Sequence, residues 1–323
     1  MNGASSPRVR VVVVTWDGAH LLPDCLDSLL AQDLPEGHLE VLVVDNASTD
    51  GTTALLAARY PGVRVLVTEA NLGFAGGVAA GTADVVAGGP GLPEHVVLLN
   101  NDAWFEKDAV RRLVETADGA AAADERVGAV TAKVLLAERN DQGRALVNST
   151  GNVLSAAGAA GDRDYGVPDG EEAGGREVFG LYGGASLLRA EALREVGGFD
   201  ASLFLYYEDT DLSFRLRRAG WSIVYCGEAV AHHRHMASTG GGVSPLFRYY
   251  NTRNSLVVLT RYAAWPVVLR SAARQTLGAL RHTVLGTEPR PVVSARWRAL
   301  RDYARALPEA LRTRREGSRH AGA

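Results

Sequence analysis

Two hydrophobic patterns alternate along the first hundred residues. The run of β-branched residues at 9–15 is typical of a strand buried on both faces, residues 39–44 predict a second buried strand, and residues 63–67 and 96–99 predict two further strands. Apolar residues at helical spacing predict helices between them, at residues 21–30, from Ser48 or Asp50 to about Tyr60, and at 77–86. Strand–helix–strand repeats of this length predict an α/β fold, with a mostly parallel sheet flanked by helices.

The second half of the chain predicts a different mixture of elements. Residues 137–176 are rich in Gly, Asp, Asn and Ala, which indicates loops and short strands. The elements predicted after them are an apolar segment at 181–188, helices at 190–196 and 208–219, a strand at 221–225 and a glycine-rich loop at 238–244. From residue 247 the chain is helical and rich in arginine, with breaks at Pro266 and at 288–291.

Polar clusters follow three of the predicted strands directly, at residues 15–17, 45–50 and 100–102. In open α/β sheets, ligands bind beyond the carboxyl ends of the strands, so these clusters are expected to converge on one crevice. The glycine-rich segment 71–77 would let backbone amides approach a phosphate or a ribose. Its glycine spacing is not that of a dinucleotide-binding fingerprint, and the sequence contains no P-loop motif.

The triplet Asn100-Asn101-Asp102 supplies oxygen donors suited to Mg²⁺ or Mn²⁺. An enzyme whose leaving group is a nucleoside diphosphate uses such an ion to neutralise the charge of that group. A plain turn is the alternative interpretation, because Asn and Asp populate turns.

Three histidines, His232, His233 and His235, lie within four residues. Imidazole is a common metal ligand. In an extended segment, His233 and His235 face one side and His232 the other. One of them is therefore a candidate ligand, and a satisfied surface or core histidine is the alternative.

The predicted helix at 208–219 opens with acidic residues. Glu208 and Asp209 are candidates for a general base, which must reach the hydroxyl that it deprotonates. Acids in a first turn also complement the helix dipole without any catalysis. Asp211 lies four residues before Arg215, which is ion-pair spacing, so Asp211 is expected to be structural.

Composition places the chain among ordinary globular proteins, with 46% hydrophobic and 22% charged residues. Two cysteines cannot form a disulfide scaffold or a Cys-rich zinc module, and they fit a reducing compartment. No apolar run has the length of a transmembrane helix, and the run after residue 9 does not have the form of a signal peptide. A cytoplasmic location is therefore expected.

The formal net charge of −3 conceals a strong asymmetry. From Pro245 onward, fifteen arginines face four carboxylates, so this segment carries +11 and the rest of the chain −14. Such a division suits an anionic membrane surface, nucleic acid, or an internal interface with the acidic body. Apolar residues at 256–259 and 265–269 favour peripheral docking at a membrane, and pairing within the chain or across a homodimer is the alternative.

Seven segments, taken in order, resemble family 2 glycosyltransferases with the GT-A fold, particularly the rhamnosyltransferase-like members. They are VVVVTWDGAHLLPDCLDSLLAQ, VLVVDNASTDGT, NLGFAGG, LLNNDAW, GGASLLRAEALREVGGFD, LYYEDTDLSFRLRRAGW and AVAHHRHMAST, and they span about residues 9–239. The resemblance implies a GT-A domain at 1–244, with a nucleotide-binding half at about 1–135 and an acceptor half at about 136–244. A basic helical extension at 245–323 follows it.

The resemblance also implies roles for single positions. Asp209 would be the catalytic base with Glu208 beside it, and Asp102 and His233 would bind Mg²⁺ or Mn²⁺. Two positions depart from the family pattern: Asp17 replaces the usual Asn, and Asn100 opens the DxD-type motif. The implied donor-binding residues are Thr15, Asp17, Asp45, Asn46, Asn71, Gly73, Asn101 and Gly184.

The reaction that the resemblance implies is an inverting single displacement from a nucleoside-diphosphate sugar, dTDP-rhamnose-like or UDP-linked. The acceptor would be a glycan, a lipid-linked molecule or a small molecule, and nucleic acid is not expected as a partner. Val293 stands where polymerising relatives carry the Gln of QxxRW, so one sugar is expected to move per encounter. Two rival interpretations are a nucleotidyltransferase, although the loop TWDGAHLLPD is not rich in Gly, Arg and Lys, and a catalytically degenerate sugar-nucleotide-binding protein.

Overall fold

The computed structural model describes residues 8–234 and 244–320, with side chains up to residue 316. In this part of the chain the strands are β1 (Val9–Thr15), β2 (Leu39–Asp45), β3 (Arg64–Val67), β4 (His95–Leu99), β5 (Ala103–Phe105), β6 (Val127–Leu136), β7 (Val147–Ser149), β8 (Asn152–Leu154), β9 (Ala160–Asp162), β10 (Ala185–Arg189) and β11 (Ser222–His233). The helices are α1 (Leu22–Leu30), α2 (Thr52–Arg59), α3 (Gly73–Gly81), α4 (Ala83–Ala87), α5 (Ala109–Ala122), α6 (Ala190–Val196), α7 (Glu208–Arg218), α8 (Pro245–Tyr262), α9 (Trp265–Leu285) and α10 (Arg290–His320).

Most of the strands form one mixed sheet in the order β3-β2-β1-β4-β10-β6-β11-β5, and β7 pairs with β6. The first four strands in that order are parallel, as the sequence predicted. Beyond them, β10 is antiparallel to both of its neighbours, and β5 and β7 are antiparallel to β11 and β6. β8 and β9 form a separate hairpin.

Each face of the sheet has its own hydrophobic core. Along β1, Val11 and Val13 point into a core that also contains Leu26 of α1 and Leu113 of α5. Val12, between them, points to the opposite face, where α3, α4, α6 and α7 pack. Because helices cover both faces, six of the seven positions of β1 are buried and Val14 is half-buried, which explains the four successive valines at 11–14.

The helix predicted after Ser48 or Asp50 is α2, and the helix predicted at 77–86 differs from the structure. Of the two candidate capping residues, it is Asp50 that contacts the first turn of α2, because its Oδ1 accepts the N–H of Thr52 at 3.1 Å. The single helix expected at 77–86 is instead the pair α3 and α4. Gly77 and Gly81 lie so close to β1 that added Cβ atoms would be 2.5 and 2.9 Å from valine side chains. Glycine here permits close packing of α3 on the sheet.

The strand predicted at 221–225 is the beginning of a longer one. β11 continues to His233 across a register shift between Cys226 and Val230. The interruption of the apolar pattern at Gly227 and Glu228 lies within this irregularity, which is why the pattern ended too early. The extension places His233 opposite Ala103 of β5.

The basic C-terminal helices pack partly against the acidic body. Arg261 of α8 lies between two carboxylates, with its Nη1 2.7 Å from Asp200 Oδ2 and 2.8 Å from Asp211 Oδ1. The predicted pair of Asp211 with Arg215 is also present, at 2.8 Å. The expectation that residues 256–259 meet a membrane is wrong, because all four are buried. Part of the positive charge is therefore used inside the molecule.

Candidate active site

The carboxyl ends of β1, β2 and β4 meet at one edge of the sheet. Asn101 Nδ2, after β4, donates to Thr15 Oγ1 at the end of β1, at 3.0 Å. The loops after β1 and β2 are also joined, because the N–H of Asp17 donates to Ser48 Oγ at 2.9 Å and Asp17 Oδ1 accepts from the N–H of Thr49 at 2.6 Å. The predicted convergence of the three polar clusters is confirmed.

Asp45 and Asn46 lie buried behind this crevice, and their side chains form hydrogen bonds with neighbouring residues of the chain. Asp45 Oδ1 accepts from the N–H of Ser48 at 2.9 Å, and its Oδ2 accepts from Thr53 Oγ1 at 2.7 Å. Asn46 Nδ2 donates to the carbonyl of Gly73 at 2.9 Å. These two side chains therefore determine the shape of the loops that line the crevice.

Two glycines allow the backbone to approach closely at the crevice. Gly73 has a φ of +69°, its N–H donates to Asn71 Oδ1 at 2.8 Å, and a Cβ there would lie 2.3 Å from the carbonyl oxygen of Phe204. A Cβ at Gly184 would lie 2.5 Å from a ring carbon of Tyr182. Any larger residue at either position has to displace its neighbour.

Asp102 and His233 face each other beyond the ends of β4 and β11. Both are buried, and Asp102 Oδ1 lies 3.0 Å from His233 Nε2. On the other side of the imidazole, Nδ1 lies 2.7 Å from Asn148 Oδ1 and 3.3 Å from the Tyr182 hydroxyl. An amide oxygen only accepts hydrogen bonds, so Nδ1 carries a proton and Nε2 is the nitrogen that faces the Asp102 carboxylate. Without a proton of its own, Nε2 is an acceptor, as the carboxylate is. Two acceptors at this distance require a proton or a cation between them.

Asp102 and His233 together fit a divalent cation that a diphosphate also coordinates. Imidazole and carboxylate are both suitable ligands for Mn²⁺, and Mg²⁺ commonly takes one or two carboxylates together with substrate phosphates. Among residues 8–234 and 244–320, no group of three or more His, Cys, Asp or Glu side chains could hold a metal. His232 points away, as the alternation predicted, with Nε2 3.2 Å from Glu106 Oε1. His235 lies outside the described residues.

Glu208 and Asp209 open α7 as a pair of neighbouring carboxyls, of which Glu208 is buried and Asp209 is half-buried. Burial raises the pKa of Asp209, and burial together with the Asp209 charge raises the pKa of Glu208 well above its ordinary value. Asp209 accepts hydrogen bonds from the N–H groups of Thr210 at 2.6 Å and Gly183 at 3.4 Å. Glu208 Oε2 has no hydrogen-bond partner within the described residues. Because hydrogen bonds favour the charged form, Asp209 carries the negative charge of the pair and Glu208 holds the proton.

The segment immediately before these carboxyls has a left-handed backbone. Tyr206 and Tyr207 have φ values of +65° and +71°, which is costly for bulky residues. Asn254 of α8 holds the segment from behind, with its Nδ2 2.7 Å from the carbonyl of Leu203 and 2.9 Å from that of Tyr206. The C-terminal helix thus helps to orient the start of α7.

We expect Asn254→Leu, which keeps the branched shape but removes the amide N–H donors, to lower kcat at least tenfold while changing the affinity for the sugar donor little. If Asp209 is the base that the sequence predicts, a displacement of about 1 Å at its carboxylate is enough for an effect of up to about 100-fold. Asn251→Leu, on the same helix and only partly buried, is the matched control. Steady-state kinetics on both variants would disprove the positioning role if Asn254→Leu retained the wild-type kcat.

Sequence reasoning missed several residues at this site, and all except Tyr182 come from residues 137–176, where it predicted only loops and short strands. Asn148 and Tyr182 contact His233, and Asn152 Nδ2 donates to Thr210 Oγ1 at 3.2 Å. Asp162 of β9 is half-buried nearby, and desolvation together with the Asp209 charge raises its pKa to about 6. The polar run at 148–152 was the available signal, whereas Tyr182 resembles an ordinary core residue.

The sheet, with carboxylates gathered beyond its strand ends, has the GT-A fold of nucleotide-sugar-dependent transferases. The chain belongs to the glycosyltransferase-like family 2, whose family model matches residues 7–252. The resemblance inferred from the seven segments is therefore confirmed, and so is the fold class.

Relatives and solved structures agree with this assignment. The chain is 30% identical, over 293 residues, to N-acetylglucosaminyl-diphospho-decaprenol L-rhamnosyltransferase of Mycobacterium tuberculosis, covering 85% of this chain and 92% of that protein. The mannosyltransferase PcManGT from Pyrobaculum calidifontis, in complex with GDP-Man and Mn²⁺, superposes with a TM-score of 0.52 at 21% identity, over 98% of this chain and 75% of that one. GalNAc-T7 with UDP, GalNAc and Mn²⁺ gives 0.60 at 13% identity, over 94% and 57%.

Proposed function

We propose that this glycosyltransferase moves one sugar from a nucleoside-diphosphate sugar to an acceptor hydroxyl, with inversion at the anomeric carbon and with help from Mg²⁺ or Mn²⁺. The observation that carries the proposal is that two adjacent residues, Tyr182 and Gly183, connect the candidate cation site to the candidate base. Tyr182 contacts His233, and the next residue, Gly183, donates to Asp209. A candidate cation site and a candidate base are thus neighbours in one crevice.

Asp209 is the proposed base. Its carboxylate removes the proton of the acceptor hydroxyl while the acceptor oxygen forms a bond to the anomeric carbon. The bond between that carbon and the diphosphate oxygen breaks, and its electron pair leaves with the nucleoside diphosphate. Asp209 later releases the proton to water, and no covalent sugar–enzyme intermediate forms.

Asp102 and His233 are the proposed cation ligands. A divalent cation bound there would neutralise the charge that develops on the leaving diphosphate. Asn148 orients the imidazole through Nδ1, as partners of metal-binding histidines usually do. The loops shaped by Thr15, Asp45 and their partners would take the nucleoside.

The donor and the acceptor class are proposed from the relatives. The mycobacterial relative is named as an L-rhamnosyltransferase that acts on a diphospho-decaprenol-linked sugar. By that similarity, a dTDP-rhamnose-like donor comes first and UDP-sugars second, and the preferred acceptor is a sugar carried on a lipid diphosphate.

A donor screen tests the proposed reaction. The purified chain, with Mg²⁺ or Mn²⁺, is offered a panel of dTDP-, UDP- and GDP-sugars, and nucleoside diphosphate release is measured with and without acceptor. We expect release of the diphosphate from one donor, at a rate that the acceptor increases. Release of inorganic pyrophosphate from a nucleoside triphosphate and a sugar phosphate would instead show a nucleotidyltransferase, and donor binding without turnover would show a degenerate binding protein.

A further inference from the structure

One face of α9 exposes a continuous row of apolar side chains. Its large members are strongly exposed: Leu269 65%, Leu277 63%, Leu280 50% and Val284 73%. With Ala273, which is also exposed, they follow one another at intervals of four, four, three and four residues. This spacing places all five on one side of a helix, and we name them the α9 stripe. At about 1.5 Å per residue the stripe is about 22 Å long.

The stripe points away from the protein. Val268, Ser271 and Ala279 are the buried residues of α9, and they occupy the opposite side of the helix. The helix is therefore already packed through one face, and the stripe is a second apolar face without a covering element among the described residues. Exposed apolar patches of this extent on a folded domain usually mark a binding surface.

The charges beside the stripe are all positive. Arg270, Arg274 and Arg281 are exposed and flank it, and the sequence from 265 to 285 contains no Asp or Glu. Within the described residues no carboxylate forms a salt bridge with these three arginines. An apolar stripe bordered by arginine is the pattern of a helix that lies in the plane of a membrane interface.

Tryptophan occurs near both ends of the stripe. Trp265, at the first position of α9, is 46% exposed, and Trp297 of α10 is 41% exposed. The indole N–H of Trp297 donates to Thr283 Oγ1 at 2.9 Å, which holds the ring beside the last turn of α9. Tryptophan is enriched where proteins meet the headgroup region of a bilayer.

We propose that α9 docks this enzyme on an anionic lipid surface, with the α9 stripe inserted among the acyl chains and Arg270, Arg274 and Arg281 at the headgroups. A second copy of the chain fits the face less well, because its own α9 would bring arginines against arginines. The docking is peripheral, since no helix in the described residues has the length and hydrophobicity to cross a bilayer.

The amino end of α9 lies close to the active site. A Cβ at Gly158, in the turn between β8 and β9, would be 2.7 Å from Val267 Cγ1. The same hairpin contacts the residue before Glu208, because the N–H of Ala160 donates to the Tyr207 hydroxyl at 3.2 Å. Docking through α9 therefore holds the acceptor side of the crevice near the bilayer. The benefit of that position rests on the proposed function with a lipid-linked acceptor, whereas the docking itself does not.

Vesicle co-sedimentation of the full chain tests the docking. Vesicles of phosphatidylcholine alone are compared with vesicles of phosphatidylcholine and phosphatidylglycerol in equal parts, at low and at high salt. We expect binding only to the anionic vesicles, with binding reduced by salt because the arginine contribution is screened. Substitution of Arg270, Arg274 and Arg281 by Gln should lower the partition coefficient about 100-fold, at about 1 kcal/mol per arginine.

A matched pair of variants tests the stripe itself. Leu277→Gln with Leu280→Gln should lower partitioning at least tenfold. Leu30→Gln with Val67→Gln, which changes two residues of similar exposure far from α9 in sequence, should leave it unchanged. The proposal is overturned if the wild type does not bind anionic vesicles at low salt, or if the stripe variant binds like the wild type. A dimer that the stripe variant dissociates would show instead that a second copy covers the face.

Docking and catalysis can fail separately. Asp209→Asn should sediment with anionic vesicles like the wild type even though it turns over slowly. The stripe variant should release nucleoside diphosphate from the donor at the wild-type rate with a water-soluble acceptor, and should be slower only with an acceptor embedded in vesicles. If turnover with the soluble acceptor also fails in the wild type, the proposed function is wrong while the vesicle result still decides the docking.

Discussion

Replacing Asp209 with Asn should reduce kcat by about 100-fold or more while the affinity for the donor changes little. Asn has nearly the same shape, and its amide oxygen can still accept the N–H of Thr210, which lies 2.6 Å from Oδ1 in the wild type. It cannot take a proton from the acceptor hydroxyl. Steady-state kinetics and donor titration on the same preparation separate the two effects.

Asp211→Asn is the matched control, two residues further along α7. Asp211 is fully buried and pairs with Arg215 and Arg261 at 2.8 Å, so its change should lower the free energy of unfolding by about 1–3 kcal/mol. The kcat of the folded protein should stay close to that of the wild type. If Asp209→Asn lost only stability and Asp211→Asn lost turnover, the base would have been assigned to the wrong carboxylate.

The pH profile gives an independent measurement of the same assignment. Burial raises the pKa of Asp209, and the base must be deprotonated to act. As the pH falls, kcat should therefore begin to decline above the pKa of an ordinary aspartate. Asp209→Asn should remove this acidic limb, since the group that titrates is gone.

The strands of the nucleotide-binding half could be predicted from the sequence because their local hydrophobic pattern matches their burial between two layers of helices. Helices cover both faces of β1, β2 and β4, so these strands are almost entirely aliphatic apart from Arg10, Glu40 and His95 near their amino ends, and each leads into a polar cluster. A parallel sheet then brings the strand ends to one edge without further information. The contact between Asn101 and Thr15, 86 positions apart in the chain, follows from this rule alone.

The acceptor half could not be predicted in the same way. β7, β8 and β9 have three residues each, too few for an alternating pattern to appear. Asn148 and Asp162 therefore reach the site through tertiary contacts that no local pattern encodes. The left-handed backbone at Tyr206 and Tyr207 also contradicts residue preference, and it depends on Asn254, almost fifty positions later.

The arginine surplus of the C-terminal helices divides between two uses that composition cannot separate. Arg261 is buried between Asp200 and Asp211, whereas Arg270 and Arg281 are exposed beside the α9 stripe. The sequence therefore indicated a basic extension correctly. It could not tell that residues 256–259 are buried and residue 269 is exposed, because both segments are apolar. Only the packing of α8 and α9 distinguishes the buried leucines from the exposed one.

Replacing Asp102 with Asn should reduce turnover by at least about 100-fold and abolish any dependence of donor affinity on Mn²⁺, because the carboxylate is the only anionic group of the proposed cation site. His233→Ala should also reduce turnover and the dependence of donor affinity on Mn²⁺, by a smaller factor. It removes the imidazole whose Nε2 lies 3.0 Å from Asp102 Oδ1. Calorimetric titration of the donor with and without Mn²⁺ measures the linkage directly.

His232→Ala is the control for these variants, because it changes the neighbouring imidazole, which faces Glu106 and stacks on Trp104 with ring centres 5.4 Å apart. Its turnover and its response to Mn²⁺ should match those of the wild type. Thermal unfolding without metal should show Asp102→Asn folded, since the substitution keeps the shape of the side chain and relieves the approach of two acceptors. Full wild-type turnover in excess EDTA would rule out the cation, and the contact between Asp102 and His233 would then be an ion pair with a protonated imidazole.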